Sequence, residues 1–522
     1  MARSLSQITA NINIRERAGY PGDPQILGLV LDSRLAFPGC LFFALPGLHL
    51  DGRRFVAQAL ERGAAAVMLE ESLGPEGALA AEHGAVALAV EGVQRAMSPV
   101  AAAFHGQPSL GLGLIGVTGT EGKSTTVSLI AQLLESAGCR TGFVSTVQRK
   151  TGEKTEWNPE HQTTPEAPLI QAALAEMRAA GLEAAVLEAS SHGLSERLGR
   201  LADVAFDVAV FTNVTLEHLE FHGSLEAYRA DKARLFSALD CFPHTKDLPS
   251  GRRDIPSFGV VNADDPHAGI FVSATRKPCL GYSLRGDALG LSGMLTAEDI
   301  VCDETGATFI LAQDGRKVRA RIELPGAFNV PNAMAALLAA SGYLGRPALS
   351  MAEALPLLRP VRGRMSPVMR GQPFEVIIDY AHTPSSFAAV FPSLRERCRG
   401  KLIALFGSGG ERDTAKRPLQ GRIASDYADI LVLTDEDPRG EDPRELLLMI
   451  AAGCPERVEG RDLHIVPDRP SAIRLAFSLA RPGDMVLLLG KGHENSIIGR
   501  EGARPYDEEA EALQALAELG YS

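Results

Sequence analysis

The run Gly119-Thr120-Glu121-Gly122-Lys123-Ser124-Thr125 carries the sharpest chemical signal in the chain. Glycines let backbone N–H groups turn inward onto phosphate oxygens, and a helix N-terminus adds positive potential. In such a loop Lys123 suits the β- and γ-phosphates of a nucleotide, and the Ser124 hydroxyl suits Mg2+. The strict pattern asks for glycine at 117; this chain has Val117 there and Gly116 one place off, so the loop is a variant. Glu121 is discordant. A carboxylate inside a phosphate loop repels its ligand unless it points away or meets the metal. Glu188 ends an apolar run, where a carboxylate facing a crevice is expected.

These residues need a frame. Residues 112–117 read as a buried strand, the glycine-rich turn follows, and 124–137 read as a helix. Further buried strands are expected at 141–144, 184–187 and 208–212. Strands alternating with helices predict a doubly wound, mostly parallel sheet, with helix N-termini and strand ends lining one crevice. Before it, apolar runs at 26–31, 39–44 and 64–69 and a helix-like stretch at 54–62 predict a small α/β unit. The stretch 242–257, rich in Pro, Gly and charge, reads as a surface loop. Residues 289–324 look β-rich, and 332–342 read as a helix. A third alternating unit begins near 347–354, with strands at 374–379, 402–406, 430–433 and 485–489 and helices at 385–395, 419–427 and 444–454.

Composition narrows the function classes. Hydrophobic residues are 45% and charged residues 22% of the 522 residues, which excludes a disordered chain and allows about three to four domains. Lys+Arg is 52 against Asp+Glu 64, a net charge of −12, which argues against a duplex nucleic-acid binder. The 7 cysteines are scattered without a CxxC pair, so free thiols are expected rather than a disulfide framework or a zinc ribbon. With no long apolar stretch, no membrane span and no secretory signal are expected. The reading is a cytoplasmic enzyme acting on small molecules.

Further runs accompany the loop: Leu187-Glu188-Ala189-Ser190-Ser191-His192-Gly193, Phe211-Thr212-Asn213-Val214-Thr215, Glu217-His218-Leu219-Glu220-Phe221-His222-Gly223, Phe328-Asn329, Asp379-Tyr380-Ala381-His382-Thr383-Pro384, Lys416-Arg417-Pro418 and Gly490-Lys491-Gly492-His493-Glu494. Their order and spacing, over nearly the whole chain, resemble those of the bacterial Mur ligases. The likeness is closest to the branch that adds the third amino acid to UDP-N-acetylmuramoyl-L-alanyl-D-glutamate in peptidoglycan synthesis.

The resemblance implies an α/β protein of three domains: a UDP-substrate domain (1–110), an ATP-binding central domain with a P-loop-type parallel sheet (111–347), and a Rossmann-like amino-acid domain (348–522). It implies an ADP-forming acid–amino-acid ligase, with ATP and Mg2+ as cofactors. The γ-phosphoryl group passes to the glutamyl γ-carboxylate, and the incoming amine displaces phosphate from the acyl phosphate. The partners are the UDP-sugar dipeptide and a free amino acid, and the chain is expected to be a monomer.

The resemblance also assigns residues. Lys123, Glu188, His218 and Lys232 are the expected catalytic set, with Ser124, Glu188 and His218 on metal and Lys232 carbamylated by CO2. Gly119, Thr120, Glu121, Gly122, Lys123, Ser124, Thr125 and Asn329 belong to ATP. Leu31, Ser33, Leu48, His49, Leu50, Gln162, Thr163, Thr164, Ser190 and Arg200 belong to the UDP substrate, with Arg197 the second candidate for Arg200's anion contact. Gln162 and Glu217 stand where the family has Asn and Asp.

Arg412, Glu436, Asp437, Pro438, Arg439, Gly490 and Glu494 fall at the amino-acid pocket. Relatives that add meso-diaminopimelate usually read Asp-Asn-Pro-Arg where this chain has Glu436-Asp437-Pro438-Arg439. Asp437 cannot donate to a distal carboxylate and would attract a terminal ammonium, so lysine or ornithine is expected over meso-diaminopimelate. Retained Arg439 argues the other way. The alternatives are another superfamily ligase such as folylpolyglutamate synthetase, or, because of Glu121, a nucleotide-binding pseudo-ligase with a regulatory or scaffold role.

Overall fold

The computed structural model describes residues 2–47, 51–158, 162–215, 219–286, 289–303 and 305–521. Three large sheets run in chain order. In the first, strand Ile14–Gly19 pairs antiparallel with Val86–Val90, and Ala66–Glu70, Cys40–Phe43 and Gly28–Val30 follow in parallel.

The central sheet has 11 strands. Gly113–Thr118 lies between Ala184–Glu188 and Val208–Phe211, parallel to both. The chain leaves Gly113–Thr118 toward Thr141–Val144, returns to Ala184–Glu188, then crosses to Val208–Phe211. The winding therefore reverses at the strand that feeds the glycine-rich loop, where open α/β sheets form a crevice. All six residues of that strand are buried, as expected of a parallel strand covered on both faces. Lys123–Ser136 and Asn329–Leu344 pack one face, and Ala167–Ala179 and Leu225–Ser237 the other. The β-rich stretch becomes Ser292–Cys302, Ala307–Gln313 and Arg316–Ile322, which extend the sheet at one edge.

The third sheet orders Glu375–Asp379, Met485–Leu489, Leu402–Phe406, Ile430–Leu433 and Leu463–Ile465 in parallel, with Ser366–Pro367 antiparallel at the edge. Among the described residues no helix is long and apolar enough to cross a membrane, and all 7 cysteines are free.

One expectation shifts. The 242–257 stretch is a β-hairpin, Thr245–Leu248 against Gly251–Asp254, rather than an irregular loop. Its Lys246 is fully buried and reaches Asp207 at 3.3 Å and the carbonyls of Ala205 and Ser109 at 2.7 and 3.1 Å. Charge in the sequence suggested solvent, but this charge points inward to a partner. Ala348, Met351, Ala352, Leu355 and Leu358 pack into the core of the central sheet. That packing joins the 348–358 segment to the core of the central sheet.

Candidate active site

Strand Gly113–Thr118 delivers the loop, and helix Lys123–Ser136 carries it away. Gly119 and Gly122 have φ of 155° and 83°, in the left-handed region. A Cβ on Gly119 would lie 1.9 Å from Thr212 Oγ1, and one on Gly122 would lie 2.4 Å from Asn332 Oδ1, so no side chain fits at either place. Lys123 Nζ donates to the Thr120 carbonyl at 2.6 Å, curling back over the loop. Thr120 Oγ1 meets Tyr228 Oη at 3.0 Å. Thr125 is half-buried on the following helix.

Ser124 and Glu188, far apart in sequence, meet here. Ser124 Oγ donates to Glu188 Oε2 at 2.9 Å, and the Thr146 N–H donates to the same oxygen at 2.8 Å. Both side chains are buried. A hydroxyl and a carboxylate at the end of a parallel strand form a hard oxygen pair, the donor chemistry Mg2+ takes alongside phosphate oxygens and water. Among the described residues no group of three His, Cys, Asp or Glu is gathered as a metal cage. Mg2+ does not require one, since it usually keeps several waters. His218 and Glu217 lie outside the described residues, as do Leu48, His49 and Leu50.

Lys232 is 2% exposed despite its place on a polar helix. Its Nζ donates to the Gly119 carbonyl at 2.6 Å and lies 4.5 Å from the Tyr228 ring centre. This lysine is built into the floor of the loop. Asn329 Nδ2 donates to the Pro325 carbonyl at 2.7 Å, and its Oδ1 accepts from Asn332 at 3.3 Å, next to Gly122.

Thr164 Oγ1 donates to the Glu188 carbonyl at 2.8 Å and accepts from the Ser190 N–H at 2.9 Å, so it ties the Gln162–Thr164 segment to the strand that ends in Glu188. Gln162 is exposed and Thr163 half-buried. Ser190 caps a short helix by accepting from the Gly193 N–H at 3.1 Å. Arg200 is buried and committed: its guanidinium donates to the Thr164 carbonyl at 2.8 Å and to Glu166 at 2.5 Å. Arg197 is exposed, 5.3 Å from the Phe221 ring centre. In the first sheet's unit, Ser33 Oγ donates to Gln58 at 2.6 Å, and Leu31 packs against that unit's core.

The third unit brings further groups to the loop. Arg364 Nη2 lies 3.5 Å from Ser124 Oγ, and its Nε is buried without a hydrogen-bond partner. Its guanidinium stacks 4.6 Å from the Tyr380 ring centre. His382 and His493 flank the same ring at 4.6 and 4.9 Å, and Tyr380 Oη donates to Glu494 at 3.3 Å. Burial and neighbouring cations push His493 down to about 3, so it stays neutral at physiological pH. Burial raises the Glu494 and Asp379 carboxyls, against the pull of Lys491 and Arg364 respectively. A cleft of about 150 Å3 opens between the units, lined by Thr146, Asn158 and Thr163 on one side and Tyr380, His493 and Glu494 on the other.

The expected amino-acid residues also converge. A Cβ on Gly409 would lie 3.5 Å from Arg412 Cγ and 3.9 Å from Glu436 Oε1, so both side chains close on one glycine. Glu436 Oε2 is buried without a hydrogen-bond partner, and a Cβ on Gly490 would sit 2.9 Å from it. Arg439 has φ of 53°, and its N–H donates to Ile498 at 2.9 Å; the Pro438 carbonyl packs against Gly410. Arg417 is fully buried and ties the two loops together, donating to the Gly409 carbonyl at 3.2 Å and to Glu441 through two 2.8 Å bonds.

Sequence reasoning missed Arg364, Tyr380, His493 and Arg417 as parts of this site. The signals were Arg362-Gly363-Arg364 ahead of a strand and the unassigned positions of runs already singled out.

Three family models match: "Mur ligase family, catalytic domain" over residues 25–105, "Mur ligase middle domain" over 117–340, and "Mur ligase, glutamate ligase domain" over 363–492. A UDP-N-acetylmuramyl-tripeptide synthetase of Treponema denticola is 50% identical over 92% of this chain and 89% of its own. A UDP-N-acetylmuramoyl-L-alanyl-D-glutamate--2,6-diaminopimelate ligase of Geobacillus kaustophilus is 38% identical over 96% of this chain and 97% of its own. A solved structure titled as the same diaminopimelate ligase superposes with a TM-score of 0.62 at 31% identity, covering 100% of both chains.

The diaminopimelate-named relatives overturn the expected preference for lysine or ornithine over meso-diaminopimelate. The structure gives a physical reason why the argument from Asp437 failed. Asp437 Oδ1 accepts from Lys491 Nζ and from the Ile498 N–H, both at 2.9 Å. The carboxylate is thus committed to donors of the protein itself, and Lys491, which also meets Glu494 at 2.5 Å, offsets part of its charge, so Asp437 does not stand free as the partner of a ligand ammonium.

Proposed function

Because the chain belongs to the Mur ligase family, whose members are ATP-dependent ligases, we propose that it adds a diamino acid to UDP-N-acetylmuramoyl-L-alanyl-D-glutamate. 2,6-Diaminopimelate, named in its relatives, is the amino acid to test first. The observation that carries the reading is the junction of a phosphate loop with Ser124, Glu188 and Arg364 beside a cleft that ends at Glu494. It supports a reading in which anion-gathering groups stand next to a pocket for an amino acid.

In this reading the loop N–H groups, Lys123 and Arg364 gather the nucleotide's negative charge. Ser124 and Glu188, with His218, would hold Mg2+. Bound Mg2+ neutralises charge on the transferring phosphoryl group. Lys232, carbamylated, would supply a further anionic ligand from beneath the loop. Thr163, Thr164 and Ser190 hold the end of the dipeptide near Glu188. Arg197, exposed where Arg200 is committed to Glu166, takes the substrate's anionic contact. Glu436, Arg412, Arg439 and Glu494 orient the incoming amino acid so that its amine faces the acyl phosphate.

The test is phosphate release from ATP with the UDP-dipeptide and, separately, 2,6-diaminopimelate, lysine, ornithine and no amino acid. Release that requires both the UDP-dipeptide and an amino acid supports the ligase. ATP binding without such release favours the pseudo-ligase, the reading Glu121 motivates.

A further inference from the structure

Glu121 has no place in that account, yet it is held with care. Its N–H donates to Asn213 Oδ1 at 2.9 Å, so this N–H is already engaged rather than turned toward a phosphate. Its carbonyl accepts from Thr212 Oγ1 at 2.7 Å and Asn213 Nδ2 at 3.1 Å. With the backbone fixed on both sides, the side chain leaves the loop toward the third unit, where Glu121 Oε1 accepts from Thr383 Oγ1 at 3.3 Å.

Thr383 is the N-cap of helix Pro384–Arg397, where it also accepts from the Ser386 N–H at 3.1 Å. The next carbonyl back, that of His382, accepts from Lys416 Nζ at 3.3 Å. The carboxylate thus meets the positive end of a 14-residue helix. This stabilisation exists only while the third unit is docked on the loop. Undocked, the same charge stays at the rim of the phosphate loop without that partner and opposes an anion arriving there.

We propose that Glu121 is a positioning residue that couples nucleotide binding to docking of the third unit. Its carboxylate opposes nucleotide binding while the units are apart and, once they meet, is neutralised by the Thr383 helix terminus. Nucleotide is then held firmly only in the arrangement that also presents the amino-acid pocket, which limits formation of the acyl phosphate before the pocket for the attacking amine is in place. The inference rests on the ligase reading, and wild-type phosphate release tests that reading by itself.

Two variants separate charge from reach. Glu121→Gln removes the charge and keeps an acceptor for Thr383. Glu121→Asp keeps the charge but is one methylene short. Calorimetric titration with the Mg2+ complex of a non-hydrolysable ATP analogue, without other substrates, reads the first. Small-angle scattering of the ligand-free chain reads the second, independently of activity. E121Q is expected to bind the analogue about fivefold more tightly than wild type, the size of one partly screened charge. E121D is expected to bind it no more tightly and to scatter as a more extended particle. In kcat, E121D combined with Thr383→Ala should cost no more than the worse single variant, as for two ends of one contact. Unchanged affinity in E121Q, unchanged scattering in E121D, or single effects that multiply would each overturn the proposal.

Discussion

Lys232 shows how far a side chain's environment can depart from its sequence context. It lies on a helix rich in charge, among Arg229, Asp231 and Arg234, yet it is buried beneath the glycine-rich loop. Lys232→Ala is expected to lose activity, with partial rescue by short carboxylic acids that replace a carbamate; phosphate release measures both. Full activity without rescue would remove the carbamate from the mechanism. Asp435, beside the amino-acid loop, makes a prediction about pH. Burial raises its carboxyl from 3.8 to about 6, against the pull of Arg504 and Arg469. The fold favours the protonated form, so this contribution to stability is whole below 3.8 and is lost as pH rises through about 6. Asp435→Asn should therefore raise stability above that range by about 1 kcal/mol, allowing for solvent screening, and give no gain below it. Thermal unfolding across pH checks it.

At the scale of elements, the hairpin Thr245–Leu248/Gly251–Asp254 is a strut rather than an ornament. Lys246 joins the segment before strand Gly113–Thr118, through the Ser109 carbonyl, to Asp207, which also accepts from the Leu114 N–H and pairs with His244. Lys246→Ala leaves Asp207 short of a buried partner and should cost about 3 kcal/mol, measured by denaturant unfolding of the full chain. Such a pair is invisible in sequence, because Lys246 reads as one charge in a polar stretch. Strands 402–406, 430–433 and 485–489, by contrast, were legible to the residue, because continuous apolar runs in buried parallel strands leave few alternatives. The helix after the loop, expected at 124–137, runs Lys123–Ser136. The Ser124–Glu188 junction was half legible: both residues stood out singly, but their 2.9 Å contact depends on strand order. Arg417 was not legible as a tie between loops, since its partners Gly409 and Glu441 are set by the fold alone.

At the scale of the molecule, the seam between the second and third sheets is where the chemistry is assembled. Arg364 reaches Ser124, Thr383 reaches Glu121, and Gln132 exchanges hydrogen bonds with the backbone of Arg359 at 2.8 and 3.1 Å. Separate units around a ligand commonly close by hinge motion. ATP and the UDP-dipeptide together should therefore make the scattering particle more compact than either alone; profiles that ligands leave unchanged would count against an assembled site. One more tie crosses this seam. Trp157, on a two-residue strand at the edge of the central sheet, faces the guanidinium of Arg362 at 4.8 Å. It is the chain's 1 tryptophan. Nature has thus placed a single intrinsic fluorophore on the joint. Its emission, excited selectively in unlabelled protein, should change whenever the units part, and Arg362→Ala should shift it in the resting enzyme. A plate of compounds could then be sorted by colour of light alone into those that prise the joint open and those that seal it.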